Sequence, residues 1–385
     1  MSRQALEGLR VLELGSLIAG PFAGRIFADF GAEVIKVEND NTGDPLRVWR
    51  EMEDGTSLWW YVQSRNKKSI TLNLKKEKDQ DFIKEMVKDI DIVIENFRPK
   101  KLEEWNIGYE DLKKINPNII FVRISGFGQD GPMSQFPGFG SIGEAMGGLR
   151  YLTGYPDRPP TRVGLSIGDS IAALYAVIGA LMALYHRDNS PDNKGQCIDV
   201  SLYESIFSLT ESMVPEYDRK DIIRERTGST LPGITPSNSY VCKDGEYIVV
   251  GANGDSIFKR LMLLIGEEEI ANDEKYSNNE KRSLHAEYLD GLISDWTKTM
   301  TIQEAVDTLN ENGVPAGKIY SVKDIVNDEH YNYRNMILDI DTEIGPLKMP
   351  GIVPKMSETP GEIKWAGPKL GEHNKDLKNT ERKNN

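Results

Sequence analysis

Cysteine and histidine are scarce in this chain of 385 residues, which has 2 cysteines and 4 histidines. Cys197 and Cys242 lie far apart in the sequence, and no CxxC spacing is present. The pattern therefore indicates neither a disulfide framework nor a cysteine-based zinc site. We expect both cysteines to be buried free thiols, and we predict no metal site.

Long apolar runs are missing as well. The apolar stretch from Ile171 to Tyr185 is shorter than the roughly 20 residues that cross a bilayer as a helix. The N-terminal segment Met1-Ser-Arg-Gln-Ala-Leu-Glu7 lacks the basic and apolar regions of a secretion signal. We therefore predict a cytoplasmic protein with no membrane partner.

Blocks of one sign of charge are also absent. The net charge is −13, and acidic and basic residues are interleaved, which argues against nucleic acid as a partner. An anionic ligand would need a local basic patch, for which Arg65-Asn-Lys-Lys68 and Arg98-Pro-Lys-Lys101 are candidates. The alternative is that these two clusters are ordinary solvated faces.

Strand and helix patterns alternate along the first half of the chain. Pro at the first turn predicts a helix over 21–30, and a charged amphipathic pattern predicts one over 75–88. The alternation predicts an α/β fold with a mainly parallel sheet and helices on both faces. The apolar runs that predict its strands are 11–14, 32–38, 69–74, 91–95, 118–124 and 195–202.

The second half predicts a smaller α+β domain. It opens with a hairpin, 239–242 and 246–251, around a Lys-Asp-Gly turn, and helical patterns follow at 256–265, 285–298 and 301–312. We predict a large domain over 1–214, a linker over 215–238, the small domain over 239–319, and a C-terminal segment, 320–385, that returns to the large domain.

Two glycine-rich segments are candidate ligand-binding loops. Gly15-Ser-Leu-Ile-Ala-Gly-Pro-Phe-Ala-Gly24 fits neither GxGxxG nor GxxxxGK[ST], so it is either a tight turn or a backbone surface near a phosphate or pantetheine. Residues 126–164 are dense in glycine and proline and predict a long structureless loop of functional character. That loop leads directly to Asp169.

Asp169 stands where the apolar run predicts the start of a buried helix. Its carboxylate there would accept hydrogen bonds from the first turn as an N-cap. The same position suits a nucleophile, because the positive end of the helix favours the ionised carboxylate. The two roles are compatible, and spacing alone favours the cap.

A set of short motifs, in this order, resembles the class III CoA-transferases, the family of formyl-CoA transferase and carnitine CoA-transferase. The resemblance spans nearly the whole chain. The motifs are Ala19-Gly-Pro-Phe-Ala-Gly24, Gly31-Ala-Glu-Val-Ile-Lys-Val-Glu38, Asn66-Lys-Lys-Ser-Ile70, Glu95-Asn-Phe-Arg-Pro99, Ser125-Gly-Phe-Gly-Gln129, Arg162-Val-Gly164, Gly168-Asp169, Gly313-Val-Pro-Ala-Gly317 and Gly367-Pro-Lys-Leu-Gly-Glu-His373.

The resemblance implies a Rossmann-like large domain, an interlocked homodimer and Asp169 as the nucleophile. It also implies a coenzyme A site, and Lys75, Arg98 and Lys101 are expected to bind the phosphates. Phe139 falls near the thioester in this comparison. The expected CoA-contacting positions are Ile18, Ala19, Asn39, Leu72, Asn73, Leu74, Lys75, Asn96, Phe97 and Arg98.

The expected reaction moves CoA from an acyl-CoA donor, succinyl-CoA or acetyl-CoA, to a small carboxylic or hydroxy acid. CoA thioesters are then substrates, and no permanently bound cofactor, ATP or metal is expected. Pro137-Gly-Phe-Gly140 departs from the residues of formyl-CoA transferase, which argues against formyl-CoA and oxalate as the pair.

Two alternatives stay open. One is an α-methylacyl-CoA racemase, a branch of the same superfamily expected to use a histidine where this chain has Phe139. Phenylalanine cannot carry a proton, so the transferase is favoured. The other is a non-catalytic CoA-binding subunit, against which the presence of Asp169 argues.

Overall fold

A computed structural model describes residues 4–380 of the chain. Met1–Arg3 of the N-terminal segment and 381–385 of the predicted C-terminal segment lie outside the described residues. The chain divides into two compact units. The large unit contains 4–149, 163–223 and 332–380, and the small unit contains 150–162 and 224–331. The predicted domain limits stay a prediction.

The strands, in chain order, are β1 (Arg10–Glu13), β2 (Glu33–Glu38), β3 (Met52–Glu53), β4 (Thr56–Ser57), β5 (Lys67–Thr71), β6 (Ile92–Glu95), β7 (Ile120–Ser125), β8 (Cys197–Ser201), β9 (Ser237–Val241), β10 (Tyr247–Gly251), β11 (Ala316–Lys318), β12 (Ile337–Thr342) and β13 (Gly345–Pro350).

The α-helices are α1 (Ala19–Asp29), α2 (Leu58–Gln63), α3 (Glu77–Met86), α4 (Lys101–Glu104), α5 (Tyr109–Ile115), α6 (Gly140–Met146), α7 (Leu149–Leu152), α8 (Ile167–Asn189), α9 (Leu202–Phe207), α10 (Met213–Lys220), α11 (Asp255–Leu264), α12 (Glu268–Asn272), α13 (Asn279–Ser283), α14 (Ala286–Thr297), α15 (Ile302–Glu311), α16 (Val322–Asn327), α17 (Glu329–Tyr333) and α18 (Asn374–Thr380). Short 3₁₀ turns cover Pro45–Val48, Val87–Asp89 and Glu274–Tyr276.

A 6-stranded sheet forms the centre of the large unit, with the strand order β5-β2-β1-β6-β7-β8. All of its pairings are parallel, which confirms the predicted α/β fold class. Parallel strands need crossover connections, and the helices between them cover both faces of the sheet.

Alternate residues of each strand point to opposite faces of the sheet, so the sheet has a core on each side. Val11 and Ile94 pack into one core with α1 and α8, while Leu12 and Val93 pack into the other with α3 and α5. The strands are therefore apolar on both faces, which is why they read as continuous apolar runs.

Helix α8 crosses the first of these cores. A row of small residues, among them Ala173, Ala176 and Ala180, lets the helix lie close to the sheet. With 23 residues it is also long and apolar enough, by length and composition alone, to cross a membrane. The sequence predicted a shorter helix, because the polar residues at both ends were not counted in the apolar run. Its alanine row packs as the core helix of a globular domain does.

The predicted structureless loop over 126–164 is wrong in one respect. It contains α6 and α7, and glycines allow α6 to pack closely against α9. A Cβ atom on Gly143 would lie 2.8 Å from Cβ of Leu202, and one on Gly147 would lie 2.6 Å from Cβ of Ile206. The glycines that suggested a loop thus serve the contact between α6 and α9.

The small unit is α+β, as predicted. Its 3-stranded antiparallel sheet has the order β11-β10-β9, and the hairpin β9-β10 is the predicted one. Helices α11, α14 and α15 supply Phe258, Leu289 and Leu309 to its core.

The C-terminal segment lies along β5, an edge strand of the large sheet. Ser69 N–H donates to Nδ1 of His373 at 3.1 Å, and Thr71 N–H donates to Oδ1 of Asn374 at 3.0 Å. Lys378 Nζ donates to the Thr71 carbonyl at 2.7 Å. Backbone groups that an open edge would expose are therefore occupied.

The expectation of two buried thiols is half wrong. Cys242 is buried, but Cys197 is exposed. Cys197 begins β8, the other edge strand of the large sheet, and edge positions lack a neighbouring strand to cover them.

Candidate active site

A cavity of about 240 Å³ opens in the large unit at the carboxyl ends of the parallel strands. This is the edge at which α/β sheets bind ligands. Its walls are the segments that follow β1, β2, β5 and β6. The lining residues are Leu14, Gly15, Ser16, Val37, Glu38, Asn39, Thr42, Gly43, Asp44, Pro45, Leu72, Asn73, Leu74, Lys75, Phe97 and Trp105.

Part of the predicted CoA-binding set lines this cavity, namely Asn39, Leu72, Asn73, Leu74, Lys75 and Phe97. Phe97 meets Trp105 edge to face, with ring centroids 5.4 Å apart, so one wall is aromatic. Lys75 is exposed at this site. The cavity thus combines an apolar aromatic wall with an exposed cation.

The other predicted contacts lie outside the lining. Ile18 and Ala19 are buried at the start of α1, where the strand-to-helix loop enters the helix. Arg98 is exposed in the loop after β6. Lys101 is half-buried, and its ammonium lies 2.5 Å from Glu104 and 5.3 Å from the centre of the Trp105 ring.

Asn96 lies behind the cavity wall rather than in it. Its side chain binds both peptide groups of Ser16: Oδ1 accepts from Ser16 N–H at 2.8 Å, and Nδ2 donates to the Ser16 carbonyl at 2.9 Å. Asn96 therefore joins the loop after β1 to the loop after β6.

The basic cluster 65–68 is not the solvated face that its charge suggested. Arg65 is buried and pairs with Asp29 at 2.7 Å, and Lys67 is buried and pairs with Glu13 at 2.7 Å. Buried cations are stable only when they are paired, so these two belong to the interior of the unit.

Four lining residues that follow β2, Thr42, Gly43, Asp44 and Pro45, were not predicted from the sequence, whereas Asn39 beside them was. Oδ1 of Asn39 accepts from the N–H groups of Asn41 and Thr42 at 2.9 and 3.1 Å, which makes a tight turn of this segment. Asp44 caps the following 3₁₀ turn through Leu46 N–H at 2.9 Å. The Gly-Asp-Pro sequence at 43–45 was the available signal, since these residue types mark turns.

The charge of Glu38 on this wall is neutralised locally. Its carboxylate accepts from Arg47 at 2.7 and 2.8 Å, from Ser69 Oγ at 2.5 Å and from Asp44 N–H at 3.0 Å. An anionic ligand in the cavity would therefore face a compensated carboxylate.

Asp169 lies in the first turn of α8, at its third residue. The predicted N-cap role is wrong, because the helix begins at Ile167 and Ser166 precedes it. The side chain is half-buried. A carboxylate in the first helical turn is still favoured in its ionised form by the helix dipole.

Gly140, the first residue of α6, leaves the space that the Asp169 carboxylate occupies. A Cβ atom on Gly140 would lie 2.1 Å from Oδ2 of Asp169, which is far below the contact distance of two non-bonded atoms. A Cβ atom on Gly168 would likewise lie 2.8 Å from the Gly140 carbonyl oxygen. The carboxylate and the start of α6 thus meet because both positions lack a side chain.

Two further residues surround this contact. Glu144 is fully buried on α6, and a Cβ atom on Gly168 would lie 3.3 Å from its Cγ. The sequence reasoning did not single out Glu144. Phe139 precedes α6 and is 69% exposed, so it offers an apolar surface next to Gly140.

Within residues 4–380, no group of three or more His, Cys, Asp or Glu side chains is placed to hold a metal ion.

Comparison with known proteins adds a family to this geometry. The family model described as CoA-transferase family III matches residues 6–374. Succinyl-CoA--D-citramalate CoA-transferase of Chloroflexus aurantiacus is 50% identical over 374 residues, which cover 97% of this chain and 92% of the relative. The succinyl-CoA--L-malate CoA-transferase beta subunit of the same organism is 38% identical, covering 97% and 93%. A CAIB/BAIF family protein from Brucella suis has a similar crystal structure, with a TM-score of 0.87, 32% identity and coverage of 98% and 100%.

Proposed function

The chain belongs to CoA-transferase family III, and we propose that it moves coenzyme A from succinyl-CoA to a small carboxylic acid through a covalent intermediate on Asp169. The observation that carries the proposal is the Asp169 carboxylate in the first turn of α8, fitted against Gly140. The chain is a CoA-transferase, and CoA thioesters are its substrates.

The proposed reaction exchanges one thioester for another in balanced steps. The Asp169 carboxylate attacks the acyl carbon of the donor, which forms a mixed anhydride and releases the CoA thiolate. The thiolate then attacks the aspartyl carbonyl, which gives an aspartyl-CoA thioester and the free donor acid. The acceptor carboxylate repeats both steps in reverse, so the new acyl-CoA leaves and Asp169 returns as a carboxylate.

The first turn of α8 supports the ground state of this nucleophile. The positive end of the helix dipole lies at this turn and favours the ionised carboxylate. Backbone N–H groups of the glycine-rich segments around Gly140 are suited to stabilise the charge that develops on the acyl oxygen.

The cavity is the proposed site for part of the CoA molecule. Its volume of about 240 Å³ is below the range of a complete cofactor site, so it would hold one portion, and Phe97 and Trp105 suit the adenine ring. Lys75, Arg98 and Lys101 are the proposed phosphate ligands. The remaining proposed CoA contacts are Ile18, Ala19, Asn39, Leu72, Asn73, Leu74 and Asn96, with Phe139 near the thioester.

Succinyl-CoA is the preferred donor because the relatives at 50% and 38% identity carry it in their names. The acceptors in those names are citramalate and malate, both hydroxylated dicarboxylic acids, so we propose an acceptor of that class. Acetyl-CoA is the second candidate donor. We also propose a homodimer in the cytoplasm.

The direct test is to trap the intermediate. Incubation with succinyl-CoA followed by hydroxylamine or borohydride should change the mass of the peptide that contains Asp169. The Asp169→Asn variant should remain folded, and its transfer rate should fall by more than about 1,000-fold, because the asparagine amide cannot replace the carboxylate as a nucleophile. If the mass of this peptide in the wild-type protein stays unchanged with every acyl-CoA tested, the result would favour a non-catalytic CoA-binding subunit.

The same assay, run in D₂O, separates transfer from racemisation. Racemisation needs an acid and a base on opposite faces of the α-carbon, and Phe139 supplies neither. We expect CoA movement to an acceptor acid without deuterium at the α-carbon of a 2-methylacyl-CoA. Deuterium uptake without CoA movement would instead support the racemase.

A further inference from the structure

The loop between β1 and α1, residues Gly15–Ile18, forms part of the cavity wall through Gly15 and Ser16. Side chains from other parts of the large unit bind at least one backbone group of each of these four residues. Lys36 Nζ donates to the Gly15 carbonyl at 3.0 Å, and the Asn96 side chain binds the N–H and the carbonyl of Ser16 at 2.8 and 2.9 Å. Asp44 accepts from Leu17 N–H at 3.0 Å. Gln63 Nε2 donates to the Ile18 carbonyl at 3.1 Å.

These side chains are themselves held firmly. Lys36, Asp44 and Gln63 are buried, with Asp44 3% and Gln63 2% exposed. Lys36 Nζ lies 2.7 Å from Oδ2 of Asp44 and 2.9 Å from Oε1 of Glu13. Burial by itself would lower the pKa of Lys36, but the neighbouring carboxylates of Asp44 and Glu13 raise it. Burial would likewise raise the pKa of Asp44, but Lys36 lowers it. Lys36, Asp44 and Glu13 are therefore ionised partners of one another behind the loop.

The loop needs this support because its conformation is unfavourable by itself. Leu17 has φ +65°, in the left-handed region that favours glycine. A leucine there persists only where the surroundings impose it. The Asp44 carboxylate accepts a hydrogen bond from the N–H of Leu17, and Leu17 directly follows Ser16 of the cavity wall.

We infer that Asp44 and Gln63 are positioning residues for acyl-CoA: by holding the backbone of 15–18 in its left-handed course, they keep the cavity wall preformed for the ligand. This inference rests on the proposed function of the cavity. A preformed wall raises affinity, because the ordering cost has already been met during folding. It does not act on the acyl transfer at Asp169.

The test uses the Gln63→Met variant, which keeps the length of the side chain and removes the donor to Ile18. We expect hydrogen–deuterium exchange in the segment 14–20 to become faster and the KM for succinyl-CoA to rise about tenfold, with kcat at saturation within about twofold of wild type. The Kd of free coenzyme A, from calorimetry, should rise by the same factor.

Two further variants keep the result decisive. Thr297→Val, in α14 of the small unit, removes a comparable buried hydrogen bond to the Val241 carbonyl, and it should leave the KM unchanged. Leu17→Gly takes φ +65° without strain and leaves the hydrogen bonds of Asp44 and Gln63 in place, so it should fold. The glycine also gives the loop other backbone conformations, so the wall is less well preformed and the KM should rise about threefold.

An unchanged KM and unchanged exchange in a folded Gln63→Met protein, or an unchanged KM in Leu17→Gly when the former does not fold, would overturn the inference. Wild-type protein that turns over succinyl-CoA in that experiment leaves the proposed function intact. Wild-type protein that binds no coenzyme A would overturn the proposed function instead, and with it the inference that rests on it.

Discussion

At the scale of single residues, Gly140 and Asp169 form the contact on which the proposed chemistry depends. Asp169 gains its place from the absence of a side chain at Gly140, since the two would otherwise overlap at 2.1 Å. Reactions of this kind depend on the position of the attacking atom, and a displacement of about 1 Å can cost about 100-fold in rate. A single added methyl group is therefore a sharp probe of the site.

We expect Gly140→Ala to reduce kcat by about 100-fold or more, because the methyl group forces the Asp169 carboxylate to move. The melting temperature should change by only a few degrees, since the carboxylate is the end of a side chain and not backbone. Steady-state kinetics and thermal unfolding measure the two effects.

The matched control is Gly291→Ala in α14, where an added Cβ meets nothing within 4 Å. It should retain wild-type activity and gain up to about 1 kcal/mol in stability, as alanine favours the helix. Wild-type activity in Gly140→Ala would contradict the proposed role of the Asp169 carboxylate in its present position.

At the scale of elements, the C-terminal segment acts as a cover for the edge strand β5. The ring nitrogen Nδ1 of His373 accepts a hydrogen bond from the backbone N–H of Ser69 at 3.1 Å. The backbone N–H of His373 donates to the Ser69 carbonyl at 3.0 Å. The first of these bonds is the one that depends on the protonation of the ring. Only a neutral imidazole has the lone pair that this contact requires. Burial accordingly lowers the pKa of His373 from its usual 6.5.

This contact makes the stability of the protein depend on pH. Because the folded-state pKa of His373 is below 6.5, its contribution is fully present above pH 6.5 and is lost as the pH falls through the lower value. We expect the free energy of unfolding to fall in that window by less than about 1 kcal/mol, as the ring is only partly buried.

His373→Asn keeps an acceptor oxygen near the position of Nδ1 and does not titrate in that range. Denaturant unfolding at several pH values should therefore give a shallower acid slope for the variant than for wild type. Parallel slopes in the two proteins would show that the contact at β5 does not require the neutral ring.

At the scale of the whole molecule, helix α8 has two apolar faces. Its alanine-rich face packs in the core, while the opposite face exposes large side chains. Leu174, Ile178, Leu181 and Tyr185 follow one another at helical spacing, and Met182 beside them is 67% exposed. An exposed row of large apolar side chains is typical of a protein contact, and in the proposed homodimer a second copy would cover it.

We expect Ile178→Glu and Met182→Glu together to convert the proposed dimer to a monomer in sedimentation experiments, because unpaired charges buried in an apolar interface cost several kcal/mol. Leu284→Lys, at a comparably exposed leucine of the small unit, is the control and should leave the dimer intact. A double variant that still sediments as a dimer would place the interface elsewhere.

Much of the fold was determined by the sequence itself. Continuous apolar runs predicted the parallel strands, and the hairpin β9-β10 followed from its alternation and its Lys-Asp-Gly turn. The order of motifs from Ala19 to His373 indicated the family, and the family model covers 6–374. Local patterns suffice here because period and turn chemistry depend on neighbours in sequence.

The tertiary structure decided which side chains meet. Sequence could not show that Lys67 is buried against Glu13, that the glycines of 140–148 serve helix packing, or that Asp44 and Gln63 hold the loop 15–18. Asp169 is a cap by spacing alone, and its third position in α8 against Gly140 is visible only in three dimensions. These contacts join residues far apart in the chain, and their existence depends on how the strands and helices pack, which no local pattern records.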